Sequence, residues 1–312
     1  MSRDAGRDLA ASDPILVTGG SGFLGSAIIR AFSGKRFVYA LSRRPSMSGA
    51  KPLAVDLAEG GEVGRLLEAT PFTCCIHAAA LADPDLCEKD PQNAWRVNVE
   101  GTHNLLKVCK KGKKRFVFLS TDYVFDGRKR NLYTEEDPVC PLQVYGETKA
   151  AAEKSVLELP RSLVIRLPFL IGYATPPERP DFATDALRRL WREEPAAYDD
   201  RQLRTPLVRE DAAEAIRILA DSSISGIIHL VPSETATKFD LALAFARHLG
   251  KPAELVQRNR EGKSGVYARR PQSMRLSNEK FLAAVSGRFR FRPLRDSIAQ
   301  VAEAFRKHEE FL

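Results

Sequence analysis

Residues 18–25 read TGGSGFLG, and the short apolar run Ile15–Thr18 leads directly into them. Gly19, Gly22 and Gly25 stand three apart. In such a turn one glycine permits a tight bend, one lets backbone approach a pyrophosphate, and one packs a helix closely on a strand. A helical pattern follows over Phe23–Phe32. Its first residues, Gly22, Phe23, Leu24 and Gly25, would offer unpaired N–H groups and the positive end of a helix dipole to phosphate oxygens. Glycines alone say little. A strand before them and a helix after them mark a dinucleotide-binding turn.

The next strand, read as Phe37–Leu41, ends in LSRRPS. Where an acidic residue would take a ribose 2′-hydroxyl, this chain has Ser42, Arg43 and Arg44. Guanidinium groups bind phosphate in a two-pronged fork, so these residues select NADP(H) over NAD(H). Asp56 and Leu57, after the third strand, are expected against the adenine.

Further strands are expected at Leu53–Val55, Thr73–His77, Arg115–Ser120 and Leu163–Arg166. Helical patterns lie between them at Val63–Glu68, Pro91–Lys111 and Leu142–Leu159. This alternation predicts an α/β fold of the Rossmann type, a doubly wound parallel sheet with both faces covered. Ligands then bind beyond the carboxyl ends of the strands. The expected organisation is a flexible tail over 1–13, a cofactor-binding domain over 14–172 and a smaller substrate-binding region over 173–312. The proline-rich stretch after Gly172 marks the change. Within that region 203–231, with a short strand at Ile227–Val231, is expected to pack back on the first domain. Helices are expected at Ala183–Arg192, Asp211–Ala220, Lys238–Leu249, Asn278–Val285 and Asp296–Lys307.

The stretch QVYGETKAAAE, residues 143–153, places Tyr145 and Lys149 one helical turn apart on one face. A free tyrosine has a pKa of about 10. A neighbouring ammonium favours the phenolate and lowers that value, suiting the phenol to proton transfer near neutrality. Thr121 follows the apolar run RFVFL and so sits at a strand's carboxyl end. It is placed to hold a carbonyl oxygen that Tyr145 protonates, with Ser120 as the other candidate.

Together TGGSGFLG, HAAA at 77–80, VNVEGT at 97–102, STDYVFDG at 120–127 and YGETK at 145–149 resemble the extended short-chain dehydrogenase/reductase superfamily. DYVFDG and ARRPQSMRLSNEKF at 268–281 resemble, more narrowly, the dTDP-4-dehydrorhamnose reductase family. That resemblance implies NADPH-dependent reduction of a 4-keto nucleotide sugar, with Thr121, Tyr145 and Lys149 as the catalytic set. It places Ala78, Ala79, Ala80, Asn98 and Pro168 along the cofactor, together with Tyr145 and with Lys149 toward the ribose. It assigns Asp122, Tyr123, Phe169 and Arg270 to the substrate pocket. Phe169 stands where many members have tryptophan, and SGFLG is closer to sugar epimerases than the GQLG of rhamnose-pathway reductases. An epimerase is therefore an alternative. So is a non-catalytic NADP-binding partner similar to the regulatory β subunit of methionine adenosyltransferase, which has the same motifs. The family's habit of pairing through long helices makes a homodimer possible.

Composition limits the alternatives. The 312 residues are 44% hydrophobic and 28% charged, and no apolar run approaches the length of a membrane span. Net charge is +8, but the arginines scatter without interleaved aromatics, so nucleic acid is not expected. The five cysteines show no CxxC spacing and the five histidines no ligand cluster. Reduced thiols, a cytoplasmic location and no metal are expected. The first residues carry three aspartates and lack the apolar middle of a secretory signal.

Overall fold

The computed structural model describes residues 13–43, 49–174, 181–259 and 267–309. Arg44 and residues 1–12 of the expected tail lie outside the described residues.

Six strands come first: β1 (Ile15–Thr18), β2 (Val38–Ser42), β3 (Lys51–Ala54), β4 (Cys74–His77), β5 (Arg115–Thr121) and β6 (Leu163–Leu167). Five more follow: β7 (Leu170–Ile171), β8 (Ala196–Asp199), β9 (Leu207–Val208), β10 (Gly226–His229) and β11 (Val256–Asn259). Seven of them build one parallel sheet in the order β3-β2-β1-β4-β5-β6-β10. The order reverses between β1 and β4, and such a switch point opens a crevice at the carboxyl ends of the strands.

Every residue of β1, β2, β4, β5 and β6 is buried. That follows from helices on both faces and explains why these strands read as continuous apolar runs. On one face Ile15, Val17 and Ile165 meet α1 (Phe23–Phe32), α8 (Arg209–Ala220) and α10 (Glu279–Val285). On the other Leu16, Phe116 and Phe118 meet α2 (Gly60–Glu68), α5 (Gly101–Lys111) and α6 (Val144–Leu157). The alternation of Ile15, Leu16 and Val17 between clusters is the period of two expected of a pleated strand. β3 carries Pro52, which an edge strand tolerates because one side of its backbone needs no ladder partner.

A second core forms beside the sheet. It unites α7 (Phe182–Trp191), α9 (Lys238–Leu249) and α11 (Leu294–Glu309) with Tyr198 of β8 and Val256 of β11. α9 starts at a reciprocal cap in which Thr237 and Asp240 exchange side-chain and backbone hydrogen bonds.

The long helix expected over Pro91–Lys111 is interrupted. α3 (Pro84–Lys89) and α4 (Pro91–Trp95) precede a π-helical turn at Arg96–Glu100, and α5 follows it. The turn carries Asn98 inward, where it is 2% exposed. Insertions of this kind occur often at functional sites.

Candidate active site

The turn after β1 leaves no room for side chains. Gly19 adopts φ +67°, and a Cβ there would lie 2.8 Å from the Ala79 backbone. A Cβ on Gly25 would lie 2.1 Å from the Gly19 carbonyl oxygen. The N-cap of α1 is Gly22, with no side chain closing the helix end. A cleft of about 680 Å³ opens above it, floored by Gly19 and Gly22 and walled by Ser42, Arg43, Asp56, Leu57 and Ala78–Ala80. A bare helix N-terminus in such a cleft fits a pyrophosphate. Ser42 is buried at the end of β2 and Arg43 is exposed beyond it. The Asp56 carboxylate accepts from the Ala58 N–H at 3.0 Å and so fixes the turn that presents Leu57. Phe23 and Leu24 open α1, and the Arg209 guanidinium rests 4.7 Å from the Phe23 ring centre.

A buried chain of hydrogen bonds ties this cradle to the neighbouring helices. The Ala79 N–H donates to Thr18 Oγ1 at 3.1 Å, and Thr18 Oγ1 lies 2.7 Å from His77 Nδ1. His77 Nε2 is 3.0 Å from Thr102 Oγ1, whose proton goes to the Asn98 carbonyl. With the Thr102 proton committed, His77 must donate from Nε2 and accept at Nδ1. Burial lowers the His77 pKa to about 3, so the imidazole stays neutral. The Asn98 amide binds the backbone of Leu81 at both ends and Thr148 Oγ1 at 3.0 Å. Asn98 thus shapes the cleft wall by holding Leu81, with its own side chain buried behind.

Thr121 ends β5, and a short 3₁₀ turn carries Asp122 and Tyr123. Gly146 lets α6 press onto that turn: a Cβ there would lie 2.3 Å from the Tyr123 carbonyl oxygen. The approach sets the Tyr145 ring edge-on to Tyr123 at 6.4 Å and places its hydroxyl beside Thr121. Tyr145, Lys149 and Glu153 follow one another at single-turn spacing along α6. Lys149 is 2% exposed, and its ammonium sits 3.9 Å from the centre of the Phe118 ring.

The electrostatics differ from the expectation that Lys149 lowers the Tyr145 pKa. Burial, then the carboxylate of Asp122, push the phenol above its ordinary value. Burial also brings Lys149 down to about 7, with Glu153 pulling it back up. Asp122 is pushed up to about 6 by burial, against the pull of Arg204. In this state the phenol firmly holds its proton, which is the condition of an acid before it reacts.

The proposed substrate residues divide. Asp122 and Tyr123 adjoin Tyr145. Arg270 reaches the same place from the C-terminal region, bound to Asp85 at 2.7 Å and close to Tyr123. Pro168 is buried after β6. Phe169 packs against Phe182 at 5.8 Å, under Lys238, on the second core. Sequence reading missed three residues here: Glu153, Arg166 and Arg204. The eight-residue step from Tyr145 to Glu153 was visible in principle. The two arginines come from distant segments and left no local signal.

Fold and site define a dinucleotide-binding α/β protein with the tyrosine–lysine pair of short-chain dehydrogenase/reductases. More narrowly, the chain belongs to the RmlD substrate binding domain family, whose model matches residues 13–307. It is 30% identical over 270 residues to methionine adenosyltransferase 2 subunit beta of Danio rerio, covering 84% of this chain and 82% of that one. It is 33% identical over 216 residues to dTDP-4-dehydrorhamnose reductase of Escherichia coli K12, covering 66% and 71%. Among solved structures, a hypothetical dTDP-4-dehydrorhamnose reductase from Sulfolobus tokodaii superposes with a TM-score of 0.80 at 27% identity, over 91% of this chain and 98% of that one.

Proposed function

We propose that the protein is an NADPH-dependent reductase of a nucleotide-linked 4-keto sugar, with Tyr145 as the proton donor. The observation that carries this reading is the meeting of Thr121, Tyr145 and Lys149 at the carboxyl end of β5, in a protein whose adjacent cleft has a side-chain-free glycine floor. NADPH, when bound, supplies a hydride. Ser42 and Arg43 favour the phosphorylated cofactor over NAD(H). Thr121 orients the substrate carbonyl, and the Tyr145 hydroxyl delivers a proton to its oxygen. Lys149, charged, stabilises the phenolate left behind. His77 and Asn98 hold the cradle and α6 at a fixed spacing. The named Escherichia coli relative supports the substrate class.

The test mixes purified protein, NADPH and dTDP-4-dehydrorhamnose and follows nicotinamide absorbance, with Tyr145→Phe as control. Loss of absorbance in the wild type alone supports the reading. Undiminished turnover in the variant would sink the role of Tyr145. A second reading, a regulatory partner of methionine adenosyltransferase, is favoured by the longer match to the Danio rerio subunit. It predicts bound NADP, no ketone reduction, and capture of a methionine adenosyltransferase catalytic subunit. An epimerase, the remaining alternative, would keep its nicotinamide cofactor through purification.

A further inference from the structure

The short helix α3 holds three parts of the site at once. Pro84 opens it and the Asp83 carboxylate caps it, accepting the N–H groups of Asp85 at 2.9 Å and Leu86 at 3.3 Å. From it the Asp85 carboxylate takes the Arg270 guanidinium at 2.7 Å and the Ala268 N–H at 3.0 Å, which fastens the C-terminal segment. Cys87 is wholly buried and donates from Sγ to the Leu81 carbonyl at 3.3 Å, in the wall of the cofactor cleft. Glu88 Oε1 accepts the Val144 N–H at 2.9 Å, across 56 positions of sequence.

The last of these contacts bears on the proposed proton donor. Val144 is the first residue of α6 and Tyr145 the second. The first N–H groups of a helix have no partner within it. Here Gln143, the local cap, takes the Gly146 N–H through its side-chain oxygen at 3.0 Å, and its carbonyl takes the Glu147 N–H at 3.1 Å. The Val144 N–H goes to Glu88. The first turn is therefore pinned on both sides of Tyr145. Glu88 holds it at Val144, and at Gly146 it presses on the Tyr123 carbonyl, where a Cβ would lie at 2.3 Å. A carboxylate also suits the positive end of the helix dipole. With Gln143 in place, the helix start does not depend on a cap from another helix. The distant carboxylate fixes where the turn sits.

We propose that Glu88 is a positioning residue for the reaction: by holding the Val144 N–H it sets Tyr145 at a fixed distance from Thr121, so that the phenol meets the substrate oxygen held there. The inference rests on the reading of Tyr145 as proton donor and deepens it. Because α3 also holds Arg270, one helix keeps the C-terminal side of the pocket and the proton donor in a common register. Proton transfer needs the donor within hydrogen-bond reach, and a displacement of about 1 Å costs about 10²-fold in rate.

Two readouts test it, in wild type, Glu88→Ala, Glu88→Gln and Val144→Pro. The first is steady-state reduction of dTDP-4-dehydrorhamnose by NADPH. In Glu88→Ala kcat should fall about 10–100-fold, with KM and NADPH affinity unchanged. Glu88→Gln keeps an oxygen that accepts the N–H and should recover most of the rate. Val144→Pro removes the N–H at the first helical position, where proline is tolerated, and should show the same loss as Glu88→Ala. It carries the test if Glu88→Ala does not fold. The second readout is the fluorine NMR spectrum of protein labelled with fluorotyrosine, the Tyr145 signal being identified by its absence in Tyr145→Phe. That signal should move in Glu88→Ala and Val144→Pro and stay in Glu88→Gln. Full kcat with an unmoved signal makes Glu88 a helix cap only and overturns the proposal, whatever the melting temperature does. A rise in KM at constant kcat assigns Glu88 to substrate binding and overturns it too. Glu88→Gln as slow as Glu88→Ala assigns the effect to charge, with the same consequence. Turnover in wild type with equal kcat in Glu88→Ala rejects this inference and keeps the reductase. No turnover in wild type, with the Tyr145 signal moved in Glu88→Ala, rejects the reductase and keeps Glu88 as the residue that places Tyr145.

Discussion

Glu153 and Arg166 form a two-point ion pair beneath the proposed site, Nη2 to Oε2 at 2.8 Å and Nε to Oε1 at 3.1 Å, with both side chains almost wholly buried. The same carboxylate accepts the Ser120 hydroxyl, and the guanidinium also reaches His229 Nε2 at 3.2 Å and stacks near Phe125. The pair joins α6 to the ends of β5, β6 and β10, and it explains why Ser120, the second candidate for holding substrate, points away from that task. Replacing one partner strands the other charge in the interior. Glu153→Gln and Arg166→Met should each destabilise the protein by about 3–5 kcal/mol. Urea denaturation checks this, and a loss below about 1 kcal/mol would show that the pair is not uncompensated when broken.

Tyr145→Phe removes only a hydroxyl from a ring that keeps its place against Tyr123. Turnover should fall about 10²–10⁴-fold, the range for a lost general acid. NADPH affinity, read by fluorescence titration, should not change. A parallel loss of affinity would mean the phenol anchors the cofactor and the assignment of roles is wrong.

The pH profile should report Lys149. Its ammonium is needed to receive the phenolate, and it loses its proton at about 7 in the ligand-free protein. Tyr145 holds its proton throughout the range. The logarithm of kcat/KM should therefore decline above about pH 7, with the free enzyme's group setting the bend. Stability moves the other way. Between about 7 and the ordinary lysine value of 10.5 the unfolded chain binds more protons than the native one, so this group's contribution to stability rises as pH rises. Kinetics and denaturant midpoints across pH 6–10 test the two signs together.

Gly25→Ala should abolish dinucleotide binding and lower stability, because a methyl group 2.1 Å from the Gly19 carbonyl oxygen forces the turn open. Gly61→Ala is the control, since a Cβ there meets nothing within 4 Å. Retained NADPH binding in Gly25→Ala would show that the cradle tolerates reshaping.

Arg43→Asp should reverse part of the cofactor preference. The arginine lies in the cleft wall at the end of β2 and is exposed enough to meet a 2′-phosphate. The ratio of NADPH to NADH affinity should drop about tenfold or more, as expected for one lost charge-assisted contact. An unchanged ratio would leave the preference to Ser42 or to residues beyond those described.

Much of this is legible in the sequence. The parallel sheet announced itself because strands covered on both faces must be apolar at nearly every position, as CCIH and RFVFL are. Where burial is one-sided the reading slipped: β3 was expected at Leu53–Val55 and forms at Lys51–Ala54, an edge with exposed residues. The strands β7, β8, β9 and β11 have two to four residues each and leave no period to read.

The glycine turn and the one-turn spacing of Tyr145 and Lys149 were set by sequence alone, because both depend on neighbours within a few residues. Backbone freedom at Gly19 and the 3.6-residue helical repeat are local properties. Only the tertiary structure decided what lies around them. Arg166 meets Glu153 from β6, Arg204 reaches Tyr123 from beyond the second core, and His77 joins Thr18 to Thr102 across three elements. The protonation of Tyr145, Lys149 and His77 is likewise a tertiary property. Desolvation depends on everything packed about a group, and no stretch of eleven residues carries that sum.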